Sequence, residues 1–130
     1  MDMLRFHKFT VGSAWIPEYG NPDVAEDFKF IYNYSPLHNL KMPSNNGQWP
    51  ATMLMTADHD DRVVPSHSLK YMASLYNMVA TEGKDLQRNP LIMRVEVRAG
   101  HGAGKPTSKI IAEIVDMYSF LQRVLKMTWF

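Results

Sequence analysis

The sequence predicts an α/β fold for this chain of 130 residues. Two short segments have the composition of β-strands, and three longer segments carry apolar residues at helical spacing. They alternate along the chain in the order helix, strand, helix, strand, helix, which is typical of α/β proteins. Hydrophobic residues make up 45 % of the chain and charged residues 21 %, which is typical of a globular domain or a large piece of one.

The first predicted helix follows a stretch of mixed aromatic and basic residues, 1–20, that indicates a loop or a short helix. Asn21 and Pro22 suit the N-cap and the first helical position, so the helix is expected to begin there. It should end where Pro36 disfavours a helical conformation of Ser35. Its apolar face would comprise Val24, Phe28, Ile31 and Tyr32. A loop is expected over residues 38–50, which contain the Asn-Asn-Gly turn signal.

The first strand is predicted over residues 51–57, which are apolar and uncharged, as in a strand buried on both faces of a parallel sheet. A helix of the same length is the alternative, because methionine and leucine do not favour strands. The second helix should begin at Pro65 or Ser66 and end just before Gly83. Its apolar face would comprise Leu69, Met72, Leu75, Tyr76 and Val79.

The second strand is predicted over residues 91–98, where apolar and charged side chains alternate, as in a half-exposed strand near a sheet edge. Met93, Val95 and Val97 would face one side, and Arg94, Glu96 and Arg98 the other. A last helix should begin near Pro106 and Thr107, with a buried stripe of Ile110, Ile114, Tyr118, Leu121 and Leu125. Two strands make a poor sheet, so we expect this sequence to be the end of a larger domain.

The composition argues against several classes of function. The net charge of +1 gives no reason to expect nucleic acid or an anionic membrane as a partner. The chain has no cysteine, which excludes disulfides, thiolate nucleophiles and thiolate metal sites. It has no apolar run of membrane-spanning length and no signal-like segment at Met1, so a cytoplasmic location is expected.

Two loops at the ends of the predicted strands carry the reactive side chains. In open α/β sheets, ligands bind beyond the carboxyl ends of the strands. The glycine-rich loop 100–104 is a weak phosphate-binding candidate, because Ala99 and Pro106 replace the first glycine and the Ser/Thr of a P-loop. Its glycines also suit a sharp turn between strand and helix.

The acidic loop 58–62 allows two interpretations besides a solvated turn. Asp58 and Asp60 after an apolar strand resemble the nucleophile motif of haloacid-dehalogenase phosphatases, although Arg62 stands where threonine or valine is expected. In α/β-hydrolases, by contrast, the catalytic order along the chain is serine, acid, histidine. Here the acidic loop follows one strand and His101 follows the next, so an acid–histidine pair is equally consistent with the sequence.

Six segments spread over nearly the whole chain then decide between these interpretations: residues 3–10, 14–15, 34–39, 53–65, 67–70 and 99–107. Together they closely resemble the prolyl oligopeptidase family of serine peptidases, in which a β-propeller caps an α/β-hydrolase domain. The resemblance implies that Asp60 is the triad acid and His101 the base. It also implies that Arg62 binds a substrate carbonyl and that Trp15 stacks on the substrate proline ring. Tyr19 and Val63 would line the same pocket.

The nucleophile of such a triad is missing, because the sequence contains no Gly-x-Ser-x-Gly motif. The resemblance therefore implies that residues 1–130 are the C-terminal portion of an α/β-hydrolase domain, without the nucleophile strand or the propeller. We expect hydrolysis of peptides after proline to need the remainder of the enzyme as a partner, and we expect no cofactor or metal. The isolated chain should be inactive. A phosphatase using Asp58 and Asp60, or a non-catalytic fragment that binds a partner, are the alternatives.

Overall fold

The computed structural model describes residues 1–102 and 104–128. It contains helices and strands in the predicted order: α1 Ile16–Tyr19, α2 Ala25–Tyr34, β1 Thr52–Ala57, α3 Ser66–Thr81, β2 Leu91–Glu96 and α4 Thr107–Leu125. Two 3-10 helices, Phe6–Lys8 and Gly12–Trp15, precede α1. The predicted α/β class is confirmed, and residues 1–20 form only short helical turns.

The sheet of the described residues has two parallel strands, with Thr52 opposite Leu91 and Ala57 opposite Glu96. Both segments predicted as strands are strands, and the parallel sheet expected for the first is confirmed, although β2 ends at Glu96 and not at Arg98. The expectation that the first strand is buried on both faces is wrong, because only Ala57 of β1 is fully buried. The physical reason is the small size of the sheet, since β2 is the only strand beside β1 in the described part of the chain.

The start of α2 differs from the prediction. Asn21 does not cap the helix but closes a turn ahead of it. Its side-chain Oδ1 accepts the Asp23 amide at 3.0 Å, and its carbonyl oxygen accepts the Val24 amide at 2.9 Å. The helix therefore begins at Ala25, while its predicted end before Ser35 is confirmed. Of the predicted apolar face, only Ile31 is buried.

The small core lies where α3 packs against both strands and the N-terminal segment. Its buried apolar residues are Phe6, Ile31, Ala57, Met72, Leu75 and Ala99. The predicted start of α3 at Ser66 is confirmed. Within its predicted apolar face, Met72 and Leu75 are buried, whereas Leu69 and Tyr76 are about half exposed.

On β2 the charged face is covered and the apolar face is exposed, which is the reverse of what their polarity suggests. The side chains of Arg94 and Glu96 are only 17 % and 12 % exposed. Arg94 pairs with Asp116 of α4 at 2.7 Å, and Lys109 of α4 pairs with Glu96 at 3.3 Å. Ion pairs to α4 thus cover the charged face, while Val95 on the apolar face is 39 % exposed.

Helix α4 begins as predicted after Pro106, but its predicted buried stripe is exposed. The five stripe residues, Ile110, Ile114, Tyr118, Leu121 and Leu125, are between 40 % and 64 % accessible to solvent. The ion pairs hold α4 beside β2, yet no described element covers the stripe. None of the helices in residues 1–102 and 104–128 combines the length and apolar character needed to cross a membrane.

Candidate active site

The loops that follow β1 and β2 meet at the carboxyl edge of the sheet. Backbone hydrogen bonds continue the pairing past the strand ends, because the Asp58 amide donates to the Glu96 carbonyl at 3.0 Å. The His59 amide likewise donates to the Ala99 carbonyl at 3.1 Å. Parallel strands end at the same edge of a sheet, so the two reactive loops become neighbours.

This arrangement brings Asp60 and His101 into direct contact. The Nδ1 atom of His101 lies 2.9 Å from Oδ2 of Asp60 and 3.1 Å from Oδ1. The Asp60 side chain is only 8 % exposed, whereas the imidazole of His101 is 44 % exposed. The acid is thus held inside the loop and the ring reaches the surface.

Backbone amides fix the carboxylate of Asp60. Its Oδ1 accepts the amide of Val63 at 2.8 Å and that of Arg62 at 3.0 Å. Burial by itself would raise the pKa of Asp60. The Val63 amide, the His101 side chain and the Arg62 amide outweigh that effect and hold the pKa of Asp60 below its usual value. Asp60 is therefore ionised at neutral pH and accepts hydrogen bonds only.

An ionised acceptor determines the proton position on the ring. Nδ1 of a neutral His101 must carry its proton in order to donate to Asp60, which leaves Nε2 with a free lone pair. Nothing in the described residues hydrogen-bonds that Nε2. A base oriented in this way can take a proton from a nucleophile, and the carboxylate stabilises the resulting imidazolium.

The other carboxylate of the acidic loop, Asp58, has a different environment. Its Oδ1 bonds Nδ1 of His59 at 2.6 Å and accepts the Ala99 amide at 3.3 Å. The bond to His59, with the amides of Arg98 and Ala99, lowers the pKa of Asp58 to about 2. Asp58 and Asp60 thus bind separate groups. No cluster of three or more His, Cys, Asp or Glu side chains suited to a metal occurs in the part of the chain that the structure describes. This geometry favours the acid–histidine interpretation over the phosphatase.

Three of the predicted substrate-binding residues, Trp15, Tyr19 and Val63, line one aromatic cavity of about 450 Å³. Its other lining residues are Met1, Met3, Phe6, Tyr34, Pro36 and His67. The ring of Phe6 packs edge-on against Tyr19, with ring centroids 5.6 Å apart, so these two side chains support each other in the wall. Sequence reasoning missed Tyr34 and His67 as lining residues, although both lie in the segments that carry the family resemblance.

Arg62 lines a second concavity, of about 730 Å³, which it shares with His101. Its guanidinium has no hydrogen-bond partner among residues 1–102 and 104–128, while its carbonyl oxygen accepts Oγ1 of Thr10 at 3.2 Å. Arg62 and Val63 are consecutive, so each contributes to one of the two concavities. The fold therefore brings all the predicted site residues to one region around the acidic loop.

Comparison with known proteins shows the family of this chain. A sequence model of the prolyl oligopeptidase family matches residues 1–128. The chain belongs to this family. It is 46 % identical over 129 residues to prolyl oligopeptidase A of Amanita bisporigera, covering 99 % of this chain and 16 % of that protein. Prolyl endopeptidase of Dictyostelium discoideum is 46 % identical over 125 residues, with 96 % and 16 % covered.

Solved structures show the same similarity. Prolyl oligopeptidase B of Galerina marginata, bound to a 35-residue hydrolysis and macrocyclization substrate, superposes with a TM-score of 0.84 and 40 % identity. The match covers 98 % of this chain and 17 % of that one. The prolyl oligopeptidases are α/β-hydrolase enzymes and serine peptidases. The chain spans only about a sixth of the length of the relatives it matches.

Proposed function

We propose that this chain is the C-terminal portion of the catalytic domain of a serine peptidase that hydrolyses peptides after proline. The main observation that supports this proposal is the contact between Asp60 and His101. The structures of the Galerina marginata enzyme include alanine variants of a serine, an aspartate and a histidine, which follow one another in that order along its chain. The present chain has an aspartate–histidine pair in the same order. A serine in the Gly-x-Ser-x-Gly context would precede Met1.

In this proposal, His101 and Asp60 serve an acyl transfer. Nε2 of His101 takes the proton of the serine hydroxyl as the serine oxygen attacks the carbonyl carbon of the proline residue. The protonated imidazole then gives that proton to the leaving amine, and the C–N bond breaks. A water molecule then attacks the acyl-enzyme while His101 takes its proton. The ester bond breaks, the proton returns to the serine oxygen, and the product acid is released. Asp60 stays ionised throughout and holds the ring through Nδ1.

The aromatic cavity would select the proline residue. Its ring is small and apolar, and the flat face of Trp15 offers a matching surface. Tyr19 and Val63 complete the wall around the same space. In the second concavity, the guanidinium of Arg62, which has no hydrogen-bond partner in the described part of the chain, can donate to a carbonyl oxygen of the peptide backbone. Binding groups for the side chain and for the backbone of a substrate thus flank the acid and base.

The exposed apolar surface supports the proposal that the rest of the enzyme completes the site. The stripe on α4 lacks a cover among the described residues, as does the far edge of β1. Burying such surfaces is the main driving force of folding, so we infer that further strands of the catalytic domain pack there. A β-propeller would then cap the completed domain. A cytoplasmic location stays a prediction.

The decisive experiment is a chimera in which this chain replaces the matching region of Dictyostelium discoideum prolyl endopeptidase. We expect the chimera to cleave a chromogenic Gly-Pro substrate, His101→Ala in the chimera to abolish cleavage, and the isolated chain to be inactive. A folded but inactive chimera would refute the assigned roles. Turnover by the isolated chain would also refute them, because it would need no external serine. Sequencing the transcript upstream of Met1 would show directly whether a Gly-x-Ser-x-Gly segment precedes it.

A further inference from the structure

The turn at residues 97–99, between β2 and His101, has an unfavourable backbone conformation. Arg98 has a φ of +54°, in the left-handed region that residues other than glycine rarely adopt. No glycine relieves the turn, since Gly100 follows only after Ala99. Interactions elsewhere in the fold must therefore hold the turn in this conformation.

A carboxylate holds one side of the turn. Asp58, from the loop after β1, accepts the backbone amide of Ala99 at 3.3 Å. Ala99 lies beyond the end of the strand pairing, so Asp58 gives its amide a partner that the sheet does not. A carboxylate accepting backbone amides makes stronger hydrogen bonds than a neutral acceptor would.

The ammonium group of Lys109 binds the carbonyl oxygens of the same turn. Nζ of Lys109, in the first turns of α4, donates to the carbonyl oxygen of Val97 and, at 3.3 Å, to that of Arg98. The same group pairs with Glu96 at 3.3 Å. The amide of Ala99 is therefore bound by a side chain from the acidic loop, and the carbonyls of Val97 and Arg98 by one from α4.

The held turn determines where His101 lies. Ala99 is buried, its amide is bound by Asp58, and its carbonyl accepts the His59 amide. Only Gly100 separates this fixed residue from His101. The position and direction of the chain at Ala99 therefore limit where the ring of His101 can lie.

We propose that Asp58 and Lys109 are positioning residues that hold the 97–99 turn in its left-handed form and thereby present His101 to Asp60. As far as catalysis is concerned, this inference rests on the proposed function. Asp58 does not touch the reacting atoms in this account. It acts through the backbone of Arg98 and Ala99.

The first test measures kcat and KM separately for variants of the chimera. Asp58→Ala should lower kcat about 10- to 100-fold and leave KM within about twofold, because the base is misplaced while the substrate cavities are intact. Asp58→Asn keeps an oxygen acceptor and should retain most of the activity. Asp85→Ala removes an exposed carboxylate in a remote turn and should change neither constant.

The second test isolates the turn itself. Glycine adopts the left-handed region without penalty, so Arg98→Gly should restore kcat several-fold when added to Asp58→Ala. Arg98→Ala removes the same side chain without freeing the backbone and should restore nothing. Equal rescue by both variants, or by neither, would overturn the proposal, since the effect of Asp58 would then not act through this turn.

A third readout does not depend on activity. In the 130-residue chain, imidazole ¹⁵N spectra should show His101 protonated at Nδ1, and Asp58→Ala should give a mixture of tautomers that Arg98→Gly reverses. An unchanged His101 spectrum in Asp58→Ala would overturn the inference. If that spectrum changes as expected while the chimera with the native sequence is inactive, the positioning role stands and the proposed function fails.

Discussion

His101 and Asp60 lie 2.9 Å apart at Nδ1 and Oδ2, although 41 residues separate them in the sequence. The contact follows from the pairing of the two strands, because Ala57 at the end of β1 lies opposite Glu96 at the end of β2. The backbone amides of Arg62 and Val63 orient the carboxylate independently of the histidine. The acid is thus preorganised by its own loop, and the base is brought to it by the neighbouring one.

Replacing the acid by its amide should separate its orienting role from its size. In Asp60→Asn, the side-chain amide group can face His101 and donate to Nδ1, which favours the tautomer with the proton on Nε2. The ring then cannot act as a base, so kcat of the chimera should fall about 10⁴-fold. Steady-state kinetics would measure this, with Asp85→Asn as the control. A loss smaller than about tenfold would contradict the role of Asp60.

The stability of the chain should depend on pH through His67. Nδ1 of this buried ring accepts the Asp2 amide at 3.2 Å, and burial lowers the pKa of His67 below its usual value of 6.5. The unfolded chain therefore binds a proton more readily than the folded one does. This contribution to the free energy of unfolding is complete above about pH 6.5 and is lost as pH falls through the lowered pKa.

Urea titrations at several pH values would measure this effect. We expect the midpoint for the native chain to fall between about pH 7 and pH 5, before the carboxylates with lowered pKa values are protonated. His67→Asn keeps an oxygen acceptor for the Asp2 amide but does not titrate, so its midpoint should fall less over this range. Parallel profiles for the two chains would show that His67 is not responsible.

Removal of the aromatic face in the cavity should weaken substrate binding more than it slows the chemical step. For Trp15→Ala in the chimera, we expect KM for a proline substrate to rise about tenfold, or about 1.4 kcal/mol, because the apolar contact between the indole and the proline ring is lost. The value of kcat should change by less than about threefold. Phe30→Ala removes an exposed aromatic ring outside the cavity and should affect neither constant. A fall in kcat at constant KM would place Trp15 in a different role.

The apolar stripe of α4 should make the isolated chain bind hydrophobic dyes and associate. Replacing Ile114 and Leu121 together by glutamate should lower ANS fluorescence and shift the sedimentation coefficient towards that of a monomer. Ser119→Glu adds a charge elsewhere on the same helix and should change neither measurement.

The same double variant should prevent the chimera from folding, since its two charges would be buried there without partners. A soluble, active chimera carrying both glutamates would show that nothing covers the stripe.

The amino-acid sequence by itself determined the types and most of the bounds of the elements, and it singled out Asp60 and His101 as the proposed acid and base. Local patterns suffice for this purpose, because β1, α3 and α4 are set by apolar spacing and by proline at their boundaries. The positions of Asp60 and His101 followed from the order of strands and loops, together with long motifs shared with one family. Asn21 misled the prediction because the same side chain that caps a helix can also close a turn.

Only the tertiary structure decided which faces are covered and how the site is held. Periodicity distinguishes the two sides of β2 but does not tell which neighbour packs on each side. The charged side is the covered one because Arg94 and Glu96 find Asp116 and Lys109 on α4, a helix that follows the strand. In the same way, nothing local in the sequence predicts a left-handed Arg98. That conformation depends on Asp58 and Lys109, which reach the turn only once the two strands have paired and α4 has packed beside them.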